Sequence, residues 1–297
     1  MLPTPTLRKI APIRRLTLAC GALLVFLAPA RAGEAAVARG AYLAAAAGCD
    51  RCHTDKERHG QPYAGGRPLK TAYGLVPTPN ITPDNKTGIG GWSLADFTRA
   101  LRWGVAPDDS HYLPVFPFPY YAGLSDQDVA DLKAFLDSLP PVSRKDTDGA
   151  DSIALIGRAR AAAAVALTPH EEQFRPDPAK DAAWNRGAYL AATVGRCGDC
   201  HTQRDPAGRP ETGRLLGGSD GRFGGSKAPN ITPGGEVGKW SDDDILTLLK
   251  EGQKPDFDFV AGQMAEIVGN TSRLTDDDRN AIVAYLRSVP PVGSQKK

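Results

Sequence analysis

The chain repeats itself, and that repeat limits what it can fold into more than any other feature. RGAYLAA occurs at Arg39–Ala45 and again at Arg186–Ala192, and PNITP at Pro79–Pro83 and Pro229–Pro233. A Trp-Ser follows each, at Trp92-Ser93 and Trp240-Ser241. The copies end alike, in LSDQDVADLKAFLDSLPPV at 124–142 and LTDDDRNAIVAYLRSVPPV at 274–292, and the offset drifts only from 147 to 150 residues. A repeat of that length is the size of one compact domain. We therefore expect two similar domains, 33–142 and 183–293, joined by a linker at 143–182. Within the linker, Ile153–Leu167 is interrupted by Arg158 and Arg160 and reads as a short interdomain helix rather than a membrane span.

Helix starts recur in register. Ser93, Ser125, Ser241 and Thr275 each have an aspartate three residues on, a variant of the capping box. The last helix of copy one gathers Val129, Leu132, Phe135, Leu136 and Leu139 on one face. Copy two does the same with Ile282, Tyr285, Leu286 and Val289. Both stop at Pro-Pro, where the missing donors end a helix. The alanine-rich AYLAA segments predict a further helix before each cysteine pair. Gly/Pro-rich stretches such as 60–91 and 204–238 separate the helices. Three short helices and long loops make a poor core for about 110 residues, so something besides side chains must fill each interior.

Residues 1–32 are of another kind. Arg8, Lys9, Arg14 and Arg15 precede an uncharged apolar run, Leu16–Ala30, and Ala30-Arg31-Ala32 places small residues at a cleavage position. This is the layout of a secretory signal peptide and implies a periplasmic protein. The run is short for a spanning helix, so membrane association is expected only if the segment is kept as an anchor. It holds five of the 36 basic residues and none of the 34 acidic ones, leaving the rest of the chain net acidic by three. Nucleic acid is not an expected partner, since phosphate binding needs a basic face.

Apart from Cys20, the cysteines form two pairs, one per copy: Cys49-Asp50-Arg51-Cys52-His53 and Cys197-Gly198-Asp199-Cys200-His201. In Cys-x-x-Cys-His the two thiols can add across the vinyl groups of haem, and the histidine then lies under the iron as axial ligand. Structural zinc usually closes over shorter spacings. A redox CxxC would want a βαβ context, and simple disulfides leave the histidine in both copies unexplained. Two covalently attached haem c groups follow, and they supply the missing interiors.

A six-coordinate haem needs a second ligand, commonly Met or His. After the initiator there is one methionine, Met264, placed 63 residues after His201 and just before the last helix. The first copy has none. Its corresponding stretch, HYLPVFPFPYY at 111–121, is a proline-rich apolar loop that reads as a lid on the haem. His59 is close behind His53 and His170 is in the linker. His111 is the leading candidate there, with Tyr120 or an open iron beneath Phe116 as alternatives. Asn80 and Asn230 are expected to order the loops beside each haem.

RGAYL before each CxxCHT, PNITP with its Trp-Ser, PVFPFP, MAEIVGNTS and the LPPV/VPPV endings together make the chain similar to one known group. It resembles the dihaem cytochrome c proteins related to the cytochrome subunits of periplasmic alcohol and sugar-acid dehydrogenases. The resemblance implies an all-α fold of two class I cytochrome c-like domains in tandem. It also implies electron transfer from a dehydrogenase donor toward an oxidase or quinone-side acceptor of the respiratory chain. Those subunits typically have three haem domains and a methionine where Phe116 stands. A competing expectation is a dihaem enzyme whose open first haem performs peroxidase-like small-ligand chemistry.

Overall fold

The computed structural model describes residues 28–71, 74–113, 115–144, 172–205, 209–221 and 227–293. Most of the 1–32 segment and the centre of the 143–182 linker, including the expected helix at 153–167, lie outside the described residues. Among the described residues no helix is long and apolar enough to cross a membrane.

Each half is built from an opening helix, a turn bearing the cysteines, a middle helix, a lid and a closing helix. In the first half these are Ala28–Ala47, Cys49–Cys52, Leu94–Trp103, Phe118–Tyr121 and Asp126–Asp137. In the second they are Ala182–Tyr189, extended as a π-helix over Leu190–Val194, then Cys197–His201, Asp242–Glu251, Gly262–Thr271 and Asp276–Ser288. The architecture is mostly helical and loop-rich, as expected. Among the described residues the one sheet is a hairpin in the first half, β1 (Pro68–Thr71) antiparallel to β2 (Gly74–Pro77), with Leu69 opposite Val76.

All four expected caps form. Ser93 and Ser241 complete the full capping box, each hydroxyl accepting from the N–H of the aspartate that in turn accepts from the serine N–H. Ser125 and Thr275 also accept from the N–H groups of Asp128 and Asp278, but those carboxylates turn elsewhere, as described below. The expected stripes of the closing helices are in the core, with Val129, Leu132, Leu136, Ile282, Tyr285, Leu286 and Val289 all buried.

Opening and closing helices cross at a glycine in both halves. A Cβ on Gly40 would lie 1.9 Å from the Asp131 carbonyl oxygen, and one on Gly187 1.8 Å from that of Ala281. No other residue allows backbones to approach so closely. The preceding arginine reinforces each crossing: Arg39 donates two hydrogen bonds to Asp131, and Arg186 two to Asp278.

The halves also exchange side chains. The Tyr42 hydroxyl, from the first opening helix, donates to Asp278 (2.5 Å) and accepts from the Thr275 N–H at the start of the second closing helix. Reciprocally, the Tyr189 hydroxyl donates to Asp128 and accepts from the Ser125 N–H. The capping aspartates of the closing helices thus serve the opposite half. One apolar cluster runs across both, joining Tyr121 and Leu124 to Leu190 and Val194. The end of the linker docks on the same seam, with the Phe174 N–H donating to the Gly123 carbonyl.

Candidate haem-attachment sites

Each cysteine turn opens on a left-handed residue, Gly48 (φ 71°) in one half and Arg196 (φ 53°) in the other, which turns the chain sharply out of the opening helix. The short helical turn that follows carries both cysteines, with His53 just past its end in the first half and His201 as its last residue in the second. None of the four described cysteines is in a disulfide. Burial pushes the Cys49 thiol up to about 12 and the Cys197 thiol up to about 11. A thiol–disulfide catalyst needs the opposite, a stabilised thiolate.

Both histidines are held in the same way. His53 Nδ1 lies 2.8 Å from the Pro79 carbonyl oxygen, and His201 Nδ1 lies 2.8 Å from that of Pro229. A carbonyl only accepts, so Nδ1 carries the proton and Nε2 keeps a lone pair for a metal. Burial lowers both imidazole pKa values more than this bond raises them, which keeps the ring neutral. The donor set, duplicated in both halves, fits haem c: paired thiols for the vinyl groups and an oriented imidazole for the iron.

The loop carrying that carbonyl is fixed from two sides. Asn80 accepts from the Thr82 N–H and donates to the Val142 carbonyl at 2.7 Å. Asn230 accepts from the Thr232 N–H and donates to the Val292 carbonyl at 2.6 Å. Each PNITP turn is therefore tied to the Pro-Pro-Val end of its own half, as the expectation for these asparagines requires. The threonine after each histidine adds a clamp, Thr54 accepting from the Tyr63 N–H and Thr202 from the Leu216 N–H.

Met264 is half-buried on the lid helix Gly262–Thr271. The sequence shows little sign of this helix, because Ala261 offers no capping side chain and Gly262 starts it at φ 60°. In the first half, 111–113 and 115–117 are irregular as expected. Phe118–Tyr121 forms a single helical turn, which tolerates Pro119 because the first turn has no intrahelical use for its N–H. Phe116 and Tyr120 are half-buried there, whereas His111 and His59 are exposed. His170 lies outside the described residues.

Each cysteine turn also packs on the lid of the other half. Arg51 and Arg67 pair with Glu266 (3.5 and 3.3 Å) and Arg273 with Asp50 (3.2 Å), all reaching across to the helix of Met264 or just beyond it. The Arg196 guanidinium sits over the Tyr121 ring at 5.4 Å. The sequence alone gave no sign of this exchange.

Comparison with known proteins agrees with this geometry. The cytochrome c family model matches twice, over residues 37–140 and 184–290. A diheme cytochrome c-type protein of Cereibacter sphaeroides is 42% identical over 268 residues, covering 88% of this chain and 87% of that protein. The cytochrome c subunit of the quinone alcohol dehydrogenase of Gluconobacter oxydans is 37% identical, covering 89% of this chain. The fructose dehydrogenase cytochrome subunit of Gluconobacter japonicus is 38% identical, covering 88%. The chain spans 57% and 54% of those two relatives. With two copies of the family's domain and a dihaem relative matched nearly end to end, the chain belongs to the cytochrome c family, binds two covalent haem c groups and has the electron-transfer role of a cytochrome.

Proposed function

We propose that the protein is a periplasmic dihaem cytochrome that accepts electrons from a dehydrogenase and delivers them toward the respiratory chain. The observation that carries this reading is the pair of histidines, each locked by Nδ1 to a proline carbonyl beside its own CxxC. Bound haem supplies reversible one-electron chemistry at iron. The chain's part is to attach, orient and bury it. Cys49 and Cys52 would hold the first group with His53 beneath it, and Cys197 and Cys200 the second with His201.

Met264 would supply a thioether ligand to the second haem. Thioether ligation favours the reduced iron and raises the potential. The first half, with no methionine in 33–142, would then hold its haem at the lower potential, so electrons would enter on the Phe116 side and leave on the Met264 side. The dehydrogenase partnership rests on the relatives named as alcohol and fructose dehydrogenase cytochrome subunits. Export rests on the basic and apolar segment at 1–32, and the protein is membrane-associated only where that segment is kept.

A redox titration of the purified protein, with haem quantified per chain, tests the proposal. Two haems and two resolved potentials are expected, and Met264→Leu should lower the higher potential while leaving the other in place. One haem per chain, or a titration indifferent to Met264→Leu, would sink it.

A further inference from the structure

The lids of the two halves can be aligned without using their sequences. In the first half the middle helix ends at Gly104 (φ 65°), after which Ala106 N–H donates to the Ser110 carbonyl and Tyr112 N–H to that of Gly104. In the second it ends at Gly252 (φ 80°), Lys254 N–H donates to the Asp258 carbonyl and Val260 N–H to that of Gly252. The left-handed residues inside these hairpins, Asp109 (φ 64°) and Phe257 (φ 63°), match as well. Every pair is 148 residues apart, and at that spacing Met264 falls on Phe116.

Phenylalanine has no side-chain atom that can bind iron. The first lid is filled by aromatic rings instead: Phe116 meets Tyr112 at 5.6 Å (72°) and Tyr121 at 5.9 Å (58°).

Among the described residues, His111 and His59 face elsewhere, and Tyr112 and Tyr121 are poor ligands. His111 pairs through its backbone with Val105 on the hairpin, in the place Phe259 takes in the second half, and its side chain is exposed. His59 is exposed on the loop behind the first cysteine turn. Burial pushes the Tyr112 hydroxyl up to about 12 and raises that of Tyr121 too, so both stay neutral phenols rather than phenolates.

We propose that the first haem keeps its distal position open beneath Phe116 and that this aromatic lid admits a neutral diatomic ligand of the π-acceptor class. This rests on the reading of the two haem sites given above. The aromatic lining favours a small uncharged ligand over an anion, because taking a charge out of water beside these rings is costly.

Carbon monoxide titration of the dithionite-reduced holoprotein, with the haem content of the same sample measured independently, decides the matter. One of the two haems is expected to bind. Phe116→Met should abolish that binding, Phe116→Leu should retain it, and His111→Ala should leave it unchanged. Met264→Ala should raise the number of binding haems from one to two. No binding by the native protein, retention in Phe116→Met, or a new binding haem in His111→Ala would each overturn the proposal. If native protein binds none while Met264→Ala binds one, the open first haem is wrong and methionine ligation of the second stands. If Met264→Ala adds nothing, the reading of the second haem is the one that falls.

Discussion

The two halves keep the same residue where geometry leaves no choice and differ where it does. Gly40 and Gly187 sit at helix crossings whose partner carbonyls lie within 2 Å of where a Cβ would be. Both histidines rest on a proline carbonyl, and both PNITP asparagines bridge to the end of their half. The left-handed positions are less strict. Gly48 is required because its Cβ would meet the Asn270 side-chain nitrogen at 2.3 Å, whereas Arg196 at the matching place has room to lay its guanidinium on Tyr121. The lids differ most, with aromatic rings in one half and a methionine helix in the other. The framework around the cysteine turns is the same in both halves, and the lids have diverged.

The strongest way to break this comparison is at the crossings. Gly40→Ala and Gly187→Ala should each destabilise the holoprotein by about 3 kcal/mol, since the new methyl group has only backbone to push against. Thermal or denaturant unfolding would show it, and near-neutral variants would mean the helices can separate at little cost.

Next comes the exchange between halves. Tyr42→Phe and Tyr189→Phe each remove a hydroxyl bonded to a carboxylate and should cost about 2 kcal/mol. Hydrogen exchange should locate the loosening in the closing helix of the opposite half. Loosening confined to the tyrosine's own half would count against the exchange.

The capping serines should matter less. Ser93→Ala and Ser241→Ala are expected to cost about 1 kcal/mol each, equally in the two halves because both make the full capping box. A several-fold difference between them in denaturant melts would show that the middle helices are not equivalent.

The smallest effect is the pH dependence that the two arginine pairs share. The Arg39 hydrogen bonds hold the Asp131 carboxyl below the usual carboxylate range. Burial pushes Asp278 up, but its bonds from Arg186 and Tyr42 outweigh that and leave it low as well. A carboxyl depressed in the folded state stabilises the fold above its unfolded pKa, about 3.9, and loses that contribution as pH falls through the folded value. Melting temperature should therefore begin to fall below about pH 4, and Asp131→Asn should flatten the decline. The effect is modest because Arg39 is half exposed and its pairing is screened.

Much of this was legible in the sequence because its signals are local. A serine or threonine followed by aspartate three residues later marked all four helix starts, and the apolar stripes marked the faces that are buried. The lid helix at 262–271 escaped because glycine opens it and no side chain caps it. The β1–β2 hairpin escaped because its strands are only four residues long. The carbonyls that receive His53 and His201 lie 26 and 28 residues away, and no spacing rule could assign them. The role of Tyr42 and Tyr189 was hidden for a related reason. Their recurrence in RGAYL was visible, but their partners lie 236 and 61 residues off.

That reciprocal bond changes what the duplication amounts to. A doubled gene ordinarily provides a spare copy, free to wander while the other keeps the function. Here a change at Tyr42 is felt by helix 276–288, and one at Tyr189 by helix 126–137, so neither copy is spare. Selection, like any redesign, must act on the two as a single inheritance.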